Sequence, residues 1–232
     1  MKKLTTLLAA IAFISVSAGN VVAGEYAIGV SGSMAMVEID GTETLKDTNL
    51  KTSKKHREDV VIPAIFAEYT FDVVNGITVG MEYVPAEAEL GSNSRSDFDV
   101  QTGNVTVAPL GNGTGVTQKV AAELEDHTTL YVEVHGATGG FLTAGIVQAD
   151  VITQESLGTG ATYGNVSLDG TTFGAGWKGD LPVPGMFYKV SANYTNYDEI
   201  RITGLADNAS QSSIVNANLD HTSAKLALGY KF

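Results

Sequence analysis

The stretch AKLALGYKF, residues 224–232, alternates strictly between two kinds of side chain. Ala224, Leu226, Leu228, Tyr230 and Phe232 fall on one side, and Lys225, Ala227, Gly229 and Lys231 on the other. A period of two is a β-strand with one apolar face. Chain ends of soluble domains are usually polar and frayed. A greasy face that runs through Phe232 therefore needs a surface to meet, and the remainder of the chain says which.

The same pattern recurs upstream. In EYAIGVSGSMAM, Tyr26, Ile28, Val30, Met34 and Met36 oppose Ala27, Gly29, Ser31, Ser33 and Ala35. In VVIPAIFAEYTF, Val61, Pro63, Ile65, Ala67, Tyr69 and Phe71 oppose Ile62, Ala64, Phe66, Glu68 and Thr70. ITVGMEYVP groups Ile77, Val79, Met81, Tyr83 and Pro85 against Thr78, Gly80, Glu82 and Val84. LEDHTTLYVEV groups Leu124, Thr128, Leu130, Val132 and Val134 against His127, Thr129, Tyr131 and Glu133. GFLTAGIVQAD is ambiguous in phase. TTFGAGWKG and FYKVSANYTNY complete the set, with Phe173, Ala175, Trp177, Tyr188, Val190, Ala192 and Tyr194 on the apolar sides. Eight strands is the simplest count.

Connections alternate in length. DVVNGI, HGATGG and DLPVPGM are short and carry Gly, Pro or Asn for a tight reversal. Residues 40–58, 91–120, 151–170 and 198–217 read as long loops. Short turns at one end and long loops at the other describe an up-and-down meander of the outer-membrane type, with periplasmic turns and extracellular loops.

The N-terminus agrees with export. MKK followed by LLAAIAFISVSA and small residues is a secretory signal pattern; cuts after Ala18 and after Ala23 both fit, and the second is preferred because strand alternation starts almost at once behind it. Residues 24–232 then form one domain. The chain has no cysteine, hence no disulfide framework. Its formal charge is −12, and the leader removes bases only, so a nucleic-acid partner is not expected.

A soluble sandwich also alternates, with its apolar face turned inward. Two features favour a membrane barrel, in which the apolar face meets lipid. Aromatic rings gather at strand ends (Tyr26, Tyr69, Phe71, Tyr188, Tyr230 and Phe232), where membrane girdles form. The opposite faces carry small residues with isolated mid-strand charges: Glu68, Glu82, Glu133, Lys178, Lys189 and Lys225. An eight-stranded barrel is filled by side chains, and unpaired buried ions cost several kcal/mol. The six are therefore expected to pair as a network that plugs the lumen.

With its signal pattern, eight strands, inward charges and terminal AKLALGYKF, the chain resembles the small outer-membrane β-barrel proteins, the outer membrane protein A-like and opacity-type porin superfamily. The resemblance implies an eight-stranded antiparallel up-and-down transmembrane barrel in the Gram-negative outer membrane. It also implies that Leu228, Tyr230 and Phe232 form the signal read by the barrel-insertion machinery. No peptidoglycan-binding domain is expected after Phe232, and a monomer is expected.

Catalytic chemistry finds little support. His127 and His221 lie toward outer strand ends near acidic residues, but no serine motif of lipid-deacylating barrels surrounds them. GNGTGV and GTGATYG lack the Lys-Ser or Lys-Thr of a phosphate loop. No Cys/His metal spacing occurs, and neither a resident metal nor a cofactor is expected, although the acidic pieces AEAEL and ELED offer carboxylates for weak divalent cations. Lys51, Lys54, Lys55 and Arg57, beside His56, form the one basic island, and contact with lipopolysaccharide phosphates is expected there. The expected function is structural or surface-interacting display of loops, with a narrow porin as the alternative and a lipid A-modifying enzyme behind both.

Overall fold

The computed structural model describes residues 24–45, 51–72, 76–85, 87–97, 116–156, 163–204 and 213–232. The expected signal peptide, residues 1–23, lies outside the described residues, as do 111–115 and 158–162 of the glycine-rich stretches. The strand segments are β1 (Gly24–Leu45), β2 (Lys51–Phe71), β3 (Ile77–Tyr83), β4 (Ala88–Asp97), β5 (Val116–His135), β6 (Gly140–Ser156), β7 (Val166–Asp180), β8 (Met186–Tyr197), β9 (Ile200–Thr203) and β10 (Ser213–Lys231).

These segments make eight staves. β3 and β4 follow one another along β5, and β8 and β9 follow one another along β10. Every pairing is antiparallel, and β1 pairs with β10 from Ala27–Lys231 to Leu45–Ser213, so the sheet closes on itself. At the short-turn end, Gly76, Gly139 and Gly185 take positive φ (52°, 91° and 79°), a conformation available to glycine without penalty. At Gly139 a side chain would also run into the Lys178 carbonyl.

The large apolar residues of the lower barrel face outward. Ile28, Val30, Met34, Ile65, Leu142, Ile146, Phe173, Val190, Leu226 and Leu228 are all exposed. A strand running from Ile28 to Met36, at about 3.3 Å per residue and a typical tilt of about 40°, rises roughly 20–25 Å, the height of a barrel's lipid-facing band. Closure satisfies the backbone within that band. This is a membrane-spanning barrel. Rings of Phe232, Tyr26, Tyr69 and Phe71 run side by side across the β10–β1–β2 seam, with successive centroids 6.2, 4.6 and 4.8 Å apart.

Above the band the pattern inverts. On β1, Val37 and Ile39 turn inward while Glu38 and Asp40 turn outward. Val37, Leu124, Val147, Ala149, Val151, Leu168, Tyr197, Ile200 and Leu219 form one buried apolar cluster. Among the described residues the upper barrel thus carries an apolar cluster inside, the reverse of the band below, although β2 places Lys54, His56 and Glu58 on that inner face beside its unpaired side.

Three expectations change with this geometry. The stretches 40–58 and 151–170 are largely strand, because the inverted pattern gives the extensions a core of their own, and part of 198–217 forms β9 and the start of β10. Leu124 was expected on the outward side of its strand but is buried inside. A bulge between Glu125 and Thr128, with Asp126 at φ 51°, inserts an unpaired step and flips the phase. The ambiguous β6 resolves with Leu142 and Ile146 outward and Phe141 and Val147 inward.

Candidate functional site

The lumen is built on a repeated device. Gly29, Gly80, Gly176 and Gly229 face inward, and each is paired across the sheet with an aromatic residue: Phe66, Tyr131, Phe141 and Phe187 respectively. A Cβ on any of these glycines would overlap its partner's ring. The absent side chains let the rings lie down against the wall and leave the axis free for charge. Phe66, Tyr131, Phe141 and Phe187 are all buried, Phe187 with no exposure at all.

Lys189 occupies the space they frame. Its Nζ lies 5.6–6.0 Å from the centroids of all four rings. It donates to Glu133 Oε2 at 2.7 Å and to Glu68 Oε2. Glu68 also accepts from Lys178 Nζ at 3.1 Å and from the Tyr131 hydroxyl at 3.1 Å. Lys178 lies over the Phe187 ring at 4.2 Å. Toward the short turns, His135 Nε2 stands 3.2 Å from Glu133 and 3.0 Å from the Thr78 hydroxyl. One connected layer of ions, rings and hydroxyls therefore crosses the barrel.

Glu82 and Lys225 meet one level higher, at 3.0 and 3.2 Å, with Ser31 donating to Glu82 at 3.1 Å. Around them lies a cavity of about 60 Å³, lined by Ser33, Thr129, Asn193, His221 and others. The walls mix polar groups with Ile62, Phe66, Val84, Phe141 and Ala227, and that volume suits about four waters. His127 Nε2 stands 2.9 Å from the Tyr197 hydroxyl, and the His127 and His221 rings are 6.3 Å apart. Among the described residues, no serine hydroxyl is hydrogen-bonded to either histidine.

All six mid-strand charges thus lie inside the barrel, in two groups: Glu68, Lys178, Lys189 and Glu133 together, and Glu82 with Lys225. Leu228, Tyr230 and Phe232 lie on the outward face of β10 and are exposed. The Phe232 N–H donates to the Tyr26 carbonyl at 2.9 Å. At the same end, Lys231 donates to Asp180 at 2.8 Å, and that hydrogen bond holds the Asp180 carboxyl below its usual range.

The basic island lies on the outer half of β2, above the lipid band. Lys55 Nζ contacts Glu38 at 2.6 Å and Asp40 at 3.0 Å. Hydrogen bonding to Glu38, and then to Asp40, holds the Lys55 ammonium well above the ordinary lysine range. Among the described residues Lys51, Lys54 and Arg57 make no ion pair. The two acidic pieces also come together: carboxylate oxygens of Glu87, Glu123 and Glu125 lie within 4.8 Å of one another. Among the described residues, no further feature beside them points to an ion.

The aromatic cage escaped sequence reading. Its signal was present as inward glycines on one strand and inward rings on the next, but matching them requires the register.

No protein-family model matches this sequence, and no curated protein matches it. Solved structures similar to it include outer-membrane proteins. OprG from Pseudomonas aeruginosa is 10% identical over 90% of this chain and 96% of that one, with a TM-score of 0.45. AlkL, solved in lipid bilayers, is 13% identical over 92% of both chains, TM-score 0.41. Ail, the attachment invasion locus protein of Yersinia pestis, is 14% identical over 90% and 99%, TM-score 0.35.

Proposed function

We propose that the protein is a non-conducting barrel of the Gram-negative outer membrane, exported by its signal peptide, whose role is structural and surface-interacting. The observation that carries this reading is the layer of paired ions and rings around Lys189 in the lower lumen. Above that layer, an apolar cluster packs inside the extension. A solute would have to separate the paired charges of the lower layer to pass. The extension, clothed in polar side chains, is then a rigid pedestal for surface contacts.

Lipopolysaccharide phosphates are the proposed surroundings of Lys51, Lys54 and Arg57, which make no ion pair among the described residues, while Lys55 is engaged by Glu38 and Asp40. No enzymatic activity is proposed, since His127 is held by Tyr197. Conductance across planar bilayers tests the reading: purified protein should give no channel steps, and reproducible steps from the folded protein would establish the narrow porin instead.

A further inference from the structure

β2 is paired on both sides only in its lower part. Its register with β1 runs from Thr44–Lys51 to Gly24–Phe71, whereas its register with β3 stops at Ile65–Tyr83. β4, the next segment in that stave, pairs with β5 and not with β2. Among the described residues, the outer half of β2, residues 51–64, therefore presents an edge with no strand pairing, which β4 approaches without bonding to it. Pro63, which has no N–H, lies at the membrane end of this edge. Above it, Lys51, Ser53, Lys54, Lys55, His56 and Arg57 are all exposed.

We infer that this edge is a docking site for an extended acidic segment of another polypeptide, added as a further strand beside β2. The inference rests on the extension facing the exterior, as proposed above. A free edge offers alternating N–H and C=O groups. Phosphate can accept from the N–H groups but cannot donate to the carbonyls; only another backbone answers both rows. The side chains set the charge. Lys51, Lys54 and Arg57 have no ion-pair partner among the described residues, and Lys55 is already engaged. A second copy of the chain would bring the same cations against these in antiparallel pairing, which like-charge repulsion opposes. An acidic strand is the complement.

The test uses the full chain folded in lipid nanodiscs and a synthetic peptide of alternating Glu and Val with one cysteine. Because the chain has no cysteine, Ser53→Cys reports the edge, and Gln148→Cys reports the outward face of β6, which is paired on both sides. Disulfide formation should occur at Ser53→Cys and not at Gln148→Cys. Affinity should fall about tenfold in a Lys54→Glu, Arg57→Glu variant, and also against the wild type when the peptide carries Lys for Glu, a comparison that requires no change in the protein. Equal trapping at both positions, or affinity indifferent to peptide charge, would overturn the inference. So would dimers trapped through Ser53→Cys in the absence of peptide. If lipopolysaccharide binds through these cations and the peptide does not, the edge inference fails while the proposed surface role stands.

Discussion

Lys189 and Glu133 are 56 positions apart in sequence and meet at 2.7 Å in the middle of the barrel. The pair decides what the lower lumen can do. Lys189 also contacts Glu68, so one ammonium serves two buried carboxylates inside a frame of aromatic rings. Lys178 shares only one of those carboxylates.

Removing that ammonium leaves charge without a partner. Lys189→Met should destabilise the barrel by about 3–5 kcal/mol, the usual consequence of breaking a buried ion pair from one side. Adding Glu133→Gln should recover part of the loss. Urea unfolding in detergent, followed by fluorescence of the lone Trp177, measures both.

The glycine and ring pairs predict a contrast. Gly229→Ala drives a methyl group into the Phe187 ring and should cost about 1–3 kcal/mol, as overpacking does. Gly32 has open space where a side chain would stand. Gly32→Ala should be neutral or slightly stabilising, because it restricts the unfolded chain. The same unfolding assay separates them.

The upper core should behave like that of a soluble protein. Leu219 is 2% exposed, and Leu219→Ala should cost about 2–5 kcal/mol. Limited proteolysis should then cut the extension while the membrane band remains protected. Equal susceptibility of mutant and wild type would show that the extension is not held by this core.

The surface cations should be unequal. Replacing Lys51, Lys54 and Arg57 with Gln should weaken binding to lipopolysaccharide more than replacing Lys55 alone, whose charge Glu38 and Asp40 already answer. Binding measured at low and moderate salt checks this, since exposed charge contacts are screened as salt rises.

Much of the lower barrel is legible in the chain because its period of two is unbroken there. Tyr26 to Met36 and Ala224 to Phe232 declare their outward faces residue by residue. The inward charges stand out because they sit mid-strand among small residues. What escaped was set by register and by phase. Leu124 cannot be placed without the Asp126 bulge, a local backbone step with no strong residue signature. The strand extensions read as loops because their inverted pattern puts Glu38, Asp40, Lys55 and Arg57 on the outside, where polarity resembles loop composition. The cage around Lys189 draws its rings from four strands, β2, β5, β6 and β8, and no single segment announces it.

The most direct measurement is quenching by brominated acyl chains of a fluorophore on single cysteines along the β8 and β10 staves. Labels at Val190, Leu226 and Leu228 should be quenched strongly, and labels at Ser191 and Ala227 should not, in a two-residue rhythm. Quenching of the second set and protection of the first would mean that the apolar faces are packed inside the protein, and the barrel would be turned the other way round.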